Sequence, residues 1–333
     1  MNNILIITFN SYGVEFKTFN FVDALIAIIK KSSPQLIVWG FQEASHHDEK
    51  NMVLEYFDQE LQKLFSYQML NPNNNKNHVV SLERMIRYES RFIDMVIYSC
   101  NDFYSRIRHV DYISYTPPFY ELEFGKGALC IRIILNDSRE LIFINAHLPI
   151  ALEAKHMGYT MRLHFVNKML QYFKLSEPTE SQYIFFFGDL NFRLDKLFNS
   201  RDQLSYSLNP TLNDIKFDKS TNQLLKELRS LNYQEAPITF APTFKKIIQA
   251  DDRSRTNTRN NYLRKVIKCN PLDYLFEIRS DDKTLEEEQE LLPSWCDRIL
   301  FSSNIFYLVY DAYDLHEVQL SDHALVYGIY VYA

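Results

Sequence analysis

Residues Tyr183 to Leu194 read Tyr-Ile-Phe-Phe-Phe-Gly-Asp-Leu-Asn-Phe-Arg-Leu. Five apolar residues in an unbroken run, Tyr183 to Phe187, suit a strand covered on both faces. Gly188 then lets the backbone turn, and Asp189, Asn191 and Arg193 follow the strand end. Alternation along an extended segment places those three on one side and sends Leu190, Phe192 and Leu194 toward packing. An acid, an amide and a cation held on a rigid support is the setting in which active sites are built. The plainer alternative is a Gly-Asp turn in which Asp189 bonds its own backbone.

Other strands end in the same way. Ile4 to Phe9 reads as a buried strand ending at Asn10, and Leu36 to Phe41 as another ending at Gln42 and Glu43. Further strands are expected at Phe92 to Tyr98, Ala128 to Leu135, Leu141 to Asn145, Ile299 to Phe301 and Ala324 to Tyr332. Helical spacing marks Phe19 to Ile29 (closed by Lys30 and Lys31), Val53 to Leu64, Thr160 to Lys174, and a stretch carrying Leu224, Leu225, Leu228 and Leu231 behind a Ser220/Gln223 capping box. Asn71 to His78 reads as a loop. No repeat or linker divides the chain, so residues 1–333 read as one α/β domain.

The polar groups at these boundaries are Asn10, Glu43, His147, Asp189, Asn191, Asp297 and the Asp322-His323 pair. Ligands of open sheets gather at strand ends, so convergence of these groups is expected. Oxygen ligands such as Glu43, without sulfur, suit magnesium that retains waters. Two histidines with an Asp-Asn pair are what metal-assisted phosphoryl hydrolysis needs. Each group also has a plainer role: Glu43 at a helix N-terminus, His147 as a bonded core residue, Asp297-Arg298 as a surface ion pair, Asp322 in a turn. Together those roles would require five coincidences at strand boundaries.

A net charge of -6 excludes a generally basic nucleic-acid binder. Four cysteines, Cys100, Cys130, Cys269 and Cys296, stand far apart with no zinc-ligand or redox spacing. No segment approaches the ~18 apolar residues of a membrane span. The N-terminus reads as no secretory signal, and neither terminus carries a lipidation motif. A reducing, cytoplasmic location is therefore expected, with any membrane contact peripheral.

At this point the chain resembles the inositol polyphosphate 5-phosphatases of the endonuclease/exonuclease/phosphatase superfamily. The stretches that carry the resemblance are Ile7-Thr8-Phe9-Asn10, Trp39-Gly40-Phe41-Gln42-Glu43, Gly125-Lys126-Gly127-Ala128, Asn145-Ala146-His147-Leu148, Phe187 to Arg193, Ile238 to Lys245, Pro293-Ser294-Trp295-Cys296-Asp297-Arg298-Ile299-Leu300 and Ser321-Asp322-His323. They follow the family's order over nearly the whole chain. The Gly-Asp-Leu-Asn and Ser-Asp-His pieces say only metal-dependent phosphoesterase; the Thr-Phe-Ala-Pro-Thr and Pro-Ser-Trp-Cys-Asp-Arg pieces look like 5-phosphatases specifically.

The resemblance implies a DNase I-like four-layer sandwich, two packed mixed β-sheets flanked by helices. It implies that Glu43 ligates Mg2+, with Asn10 close to it and Asp322 supporting the metal shell. Asp189 would activate the attacking water, held in place by Asn191, with no covalent enzyme intermediate. His323 would bind the scissile phosphate, oriented by Asp297, and His147 would contact the phosphate from another side. Lys126, Lys245, Arg298 and Arg193 would meet phosphates of the substrate, beside Phe244. The partner would be a phosphoinositide head group or a soluble inositol polyphosphate, and the protein a monomer.

Three departures stand out. Phe244 takes the place of a family tyrosine whose hydroxyl helps bind the 4-phosphate, Glu290-Leu291-Leu292 replaces a basic pair, and Ala146 replaces a serine. Losing a hydroxyl and two cations weakens 4-phosphate recognition, each charge-assisted bond being worth roughly 1.5–3 kcal/mol. The basic run from Lys245 to Lys268, with the acidic stretch after it, reads as a solvated insertion, or else as a segment that supplies substitute phosphate contacts or docks on an anionic leaflet. A nuclease of the same superfamily and a non-catalytic phosphoinositide-binding module are the competing readings. The Pro-Ser-Trp-Cys-Asp-Arg motif weighs against the first, and retention of Asp189 and His323 against the second.

Overall fold

The computed structural model describes residues 2–11, 20–43, 55–61, 63, 67–69, 79–81, 93–117, 125–149, 158–176, 178–192, 219–244, 265–269, 274–278, 294–313, 321 and 323–333. Most of the described strands form two sheets. The first contains β1 (Asn2–Asn10), β2 (Leu36–Gln42), β3 (Tyr67–Met69), β4 (Val79–Ser81), β5 (Ile93–Cys100), β14 (Ile305–Tyr313) and β15 (Leu325–Tyr332), in the order β14-β15-β1-β2-β5-β3, with β4 also on β5. The second contains β6 (Ile107–Tyr115), β7 (Gly127–Leu135), β8 (Glu140–His147), β9 (Gln182–Asp189), β10 (Tyr233–Glu235) and β13 (Asp297–Ser302), in the order β10-β13-β9-β8-β7-β6. A separate hairpin pairs β11 (Lys265–Cys269) with β12 (Tyr274–Ile278). Each large sheet has one parallel pair at its centre, β1/β2 and β8/β9, and antiparallel neighbours around it.

Alternation along each strand splits its side chains between two cores. In β1, Ile4 and Ile6 enter the layer between the sheets, while Leu5, Ile7 and Phe9 face the Asn20–Ser32 helix and its Phe21, Val22, Leu25 and Ile29. In β9, Tyr183, Phe185 and Phe187 face inward, while Ile184 and Phe186 pack with the Gly158–Tyr172 and Lys219–Ser230 helices. Helix, sheet, sheet and helix thus stack in four layers, as the resemblance implied. No described helix is long and apolar enough to cross a membrane.

The central strands and the helices fall where the sequence placed them, within a few residues. The Gly158–Tyr172 helix stops short of Lys174, which turns left-handed (φ 59). Helical turns at 55–61 match the expected second helix, whose Val53, Leu54 and Leu64 lie outside the described residues, as does the Asn71 to His78 loop. Two nine-residue strands, β6 and β14, were not expected. Both are sheet edges; β6 has most of its side chains exposed and carries neither a continuous apolar run nor a clean alternation, whereas β14 opens with the apolar run Ile305 to Tyr310, a signal that was there to be read.

Gly188 does not turn the chain. Strand β9 runs straight through it to Asp189, opposite Ala146 of β8. At φ 135 it occupies backbone space that side chains avoid, and a Cβ there would lie 1.9 Å from the Ala146 carbonyl oxygen. The glycine is required by close approach of two parallel strands.

Candidate functional site

The residues of the central strands that face the opposite sheet are apolar until the last positions, and then become polar. In β1 the series is Ile4, Ile6, Thr8, Asn10; in β8 it is Leu141, Phe143, Asn145, His147; in β9 it is Tyr183, Phe185, Phe187, Asp189. β13 runs the other way and begins at Asp297 before Ile299 and Phe301. Strand register aligns these ends: Gly127 pairs with His147, His147 with Asp189, and Asp189 with Asp297, while Asn10 pairs with Gln42 in the other sheet. The site is the polar end of the layer between the sheets.

Asp189 is its centre. Oδ2 accepts a hydrogen bond from Asn10 Nδ2 across the sheets at 2.8 Å, lies 3.3 Å from His147 Nε2 and 3.9 Å from His323 Nε2. Oδ1 accepts the Asn191 backbone N–H at 3.0 Å. Lys126 Nζ donates to His147 Nε2 at 2.6 Å, and Glu43 Oε1 lies 3.7 Å from the same nitrogen. His323 Nδ1 meets Asp297 Oδ2 at 2.8 Å.

His323 is fixed from several directions. Its N–H donates to Ser321 Oγ at 3.1 Å, and that hydroxyl donates to the Asn10 carbonyl at 2.6 Å. Phe244 bridges to both Ser294 and His323, with its ring centroid 4.8 Å from the imidazole. Thr243 accepts the Ala324 N–H on its carbonyl and the Asp297 N–H on its hydroxyl oxygen. The segment Thr243-Phe244 therefore ties the Asp297 and His323 backbones together.

The two carboxyls titrate in opposite directions. Burial alone would push Asp189 up, but His323, His147 and Lys126 around it hold it well below the usual carboxylate range. Burial pushes Asp297 up; His323 pulls against this without cancelling it, and the charge of Asp189 adds to the rise. One carboxylate is kept ionised and the other is biased toward sharing a proton with its histidine.

Asp189, His147, His323, Asp297, Asn10, Glu43 and Lys126 are thus brought together, with Phe244 against His323. Asn191 also arrives, but through its backbone. A left-handed residue (φ 50) breaks the alternation, its N–H holds Asp189, and its side-chain amide donates to the Leu148 carbonyl at 2.8 Å. The turn reading of Asp189 therefore holds for Oδ1, while Oδ2 faces Asn10 and His147. Arg298 differs from expectation: following Asp297 in a strand, it alternates to the other face. There its guanidinium is buried against Glu235 in a two-pronged ion pair and lies over the Phe192 ring, so it serves the framework and not the substrate. Arg193, Lys245, Asp322 and most of the basic run lie outside the described residues.

Sequence reasoning gave no role to Thr8, Gln42, Asn145, Thr243 and Ser321, all buried in or under the site. Period-two spacing from Asn10 and His147 was the available signal for Thr8 and Asn145.

Among the described residues, donor atoms of Asp189, Asp297 and His323 lie within 4.8 Å of one another. Asp297 Oδ2 is already engaged by His323 Nδ1, while Asp189 Oδ2 stands 3.9 Å from Nε2, beyond hydrogen-bond distance. Glu43 and the amide oxygen of Asn10 are the hard oxygen donors beside Asp189, and such a set fits a hard divalent cation better than a soft one.

Residues 7–329 match the family model described as Endonuclease/Exonuclease/phosphatase family 2. Human phosphatidylinositol 3,4,5-trisphosphate 5-phosphatase 1 is 28% identical over 223 residues, 62% of this chain and 16% of that protein. Type I inositol polyphosphate 5-phosphatase 2 of Arabidopsis thaliana is 28% identical over 153 residues, 44% of this chain and 18% of that one. The chain therefore spans less than a fifth of the length of these relatives. Among solved structures, the 5-phosphatase domain of SPsynaptojanin, in complex with inositol (1,4)-bisphosphate and calcium ion, superposes with a TM-score of 0.63 at 19% identity, covering 98% of this chain and 83% of that one. The Cimex nitrophorin ferrous NO complex superposes at 0.58 with 15% identity, covering 98% and 97%. The fold alone thus assigns no reaction, and the side chains must. With the family match running over nearly the whole chain, and its polar strand ends gathered around Asp189, the chain belongs to endonuclease/exonuclease/phosphatase family 2, and its curated matches there are inositol polyphosphate 5-phosphatases.

Proposed function

We propose that this protein is a magnesium-dependent phosphatase that removes the 5-phosphate of phosphoinositides or soluble inositol polyphosphates. The observation that carries the reading is Asp189 held between Asn10 of one sheet and His147 of the other, facing a His323 backed by Asp297.

Asp189 orients the attacking water and takes its proton as the new P–O bond forms and the ester bond from phosphorus to the inositol 5-oxygen breaks. That oxygen leaves as the alcohol with a proton from solvent, and Asp189 returns its own proton to solvent. Its Oδ1 is committed to the Asn191 N–H, so Oδ2 is the working oxygen. His323, bound through Nδ1 to Asp297, presents Nε2 to the phosphoryl oxygens and stabilises their growing charge. Lys126, hydrogen-bonded to His147, brings further positive charge from the other side. Glu43 and Asn10 would hold magnesium, with Asp322 expected to support the metal shell, and the ion would supply Lewis-acid polarisation of the phosphoryl group. Water is the nucleophile, so no enzyme ester forms.

Lys126, Lys245 and Arg193 serve the remaining phosphates. Phe244 turns a ring toward His323 and offers no hydroxyl, which favours substrates that do not depend on a 4-phosphate contact. The same reading takes residues 1–333 as one catalytic domain, acting as a monomer from the cytoplasm on membrane or soluble substrate.

The test is phosphate release with magnesium from phosphatidylinositol 4,5-, 3,5- and 3,4,5-phosphates and from inositol 1,4,5-trisphosphate. Loss of the 5-phosphate, abolished in Asp189→Asn, is expected, with the 3,5 lipid turned over comparably to the others. Tight lipid binding without release from any substrate would replace this reading with a non-catalytic binding module.

A further inference from the structure

Beneath the reactive row lies a second row that the proposed chemistry does not use. Thr8 stands two residues before Asn10, Asn145 two before His147, and Gln42 immediately before Glu43; all three are fully buried. Asn145 Nδ2 donates to the backbone carbonyls of Phe41 at 3.0 Å and Asp94 at 2.8 Å, both in the first sheet. Carbonyls only accept, so this side chain has one orientation, with Oδ1 toward Gln42. Gln42 Nε2 donates to that oxygen at 2.6 Å and to Thr8 Oγ1 at 3.0 Å. Every N–H of both amides is used. Gly40 makes the room: a Cβ there would lie 2.7 Å from Asn145 Cγ and 2.5 Å from the Phe187 ring.

Other hydrogen bonds join the sheets at the β10/β14 edge, from Gln234 Nε2 to the Ile305 carbonyl and through the Tyr310 hydroxyl to Glu235 and the Ile299 N–H, and at the far end of β9, from the Tyr183 hydroxyl to the Ala333 carbonyl. Most of the layer between is apolar contact, which is non-directional and does not itself fix an offset. Hydrogen bonds of set length and angle do fix it. The reactive groups are divided between the sheets, Asn10 and Glu43 on the first, His147 and Asp189 on the second. Among the described residues, Asn10 to Asp189 and Glu43 to His147 join them across the gap. We infer that the Gln42–Asn145 amide bridge is a positioning device that sets the offset of the two sheets at the end where the reactive groups lie, and so brings Asn10 to Asp189.

The inference relies on the proposed phosphatase reading only for its kinetic arm. Gln42→Asn shortens the bridge by one methylene, and Gln42→Asn with Asn145→Gln restores its length with donor and acceptor kept. In crystals of the single variant the Asn10–Asp189 contact is expected to open beyond hydrogen-bond distance. Its kcat should fall by on the order of 10- to 100-fold with KM little changed. The double variant should recover contact and rate. Should Gln42→Asn not fold, Gln42→Met removes the donors at similar volume and carries the same expectation. A folded single variant that keeps both the contact and full kcat overturns the inference, as does a double variant that recovers neither. If the wild type releases no phosphate from any substrate, the functional proposal fails, while the crystallographic comparison still decides the bridge.

Discussion

Asp189 gains more from its neighbours than it loses by burial, and that has a pH signature. Its folded pKa is depressed below the ordinary value of about 3.9, so its stabilising contribution is present above that pH and is lost as pH falls through the folded value. Asp189→Asn should therefore be less stable than wild type at neutral pH, with the difference shrinking in acid; urea melts across a pH series without metal would show it. A difference that does not change with pH would mean that the surrounding cations do not favour the ionised form. The same substitution should cost on the order of 10²–10⁴-fold in phosphate release. Asp297→Asn, which presents His323 Nδ1 with an amide in place of a carboxylate, should reduce kcat over a similar range, roughly 10²–10⁴-fold, with a changed pH profile. These acids were legible in the sequence because each ends or begins an apolar strand. The true contact of Asn191 was not, since a positive φ leaves no trace in residue order. Arg298 was misread although period two already put it on the opposite face from Asp297.

Two glycines set how closely elements approach. At Gly40 an added methyl would press on Asn145 and Phe187, so Gly40→Ala should destabilise by about 1–3 kcal/mol and disturb the site with it. Denaturation at wild-type stability would show that the sheets have slack there. The buried Arg298–Glu235 pair, supported by the Tyr310 hydroxyl, joins β10 to β13. Arg298→Met leaves Glu235 buried without its partner and should cost about 3–5 kcal/mol, while KM stays near wild type in the folded fraction. A raised KM at wild-type stability would return Arg298 to the substrate. Central strands could be read from sequence because cover on both faces demands continuous apolar runs. Edge strand β6 could not, because one open side relaxes that demand and admits residues such as Arg108 and Asp111; edge strand β14 had the apolar run Ile305 to Tyr310 and was overlooked.

Across the whole molecule, the family resemblance supplied the sandwich; composition and periodicity alone supplied only α/β. Pairing β1 with both β2 and β15, or β9 with both β8 and β13, joins residues far apart in the chain, and no local pattern encodes such partners. What sequence did hold was the point along each strand where apolar gives way to polar. That placement has a consequence for how activity is lost. The reactive groups sit on or directly beside the central strands of both sheets, whose amides should be among the slowest to exchange with solvent and should open only with the whole domain. Inactivation on heating is then expected to coincide with the cooperative loss of near-ultraviolet dichroism. Activity that vanished several degrees earlier would mean that the site comes apart on its own, as a lid or a loop would, while the scaffold stands.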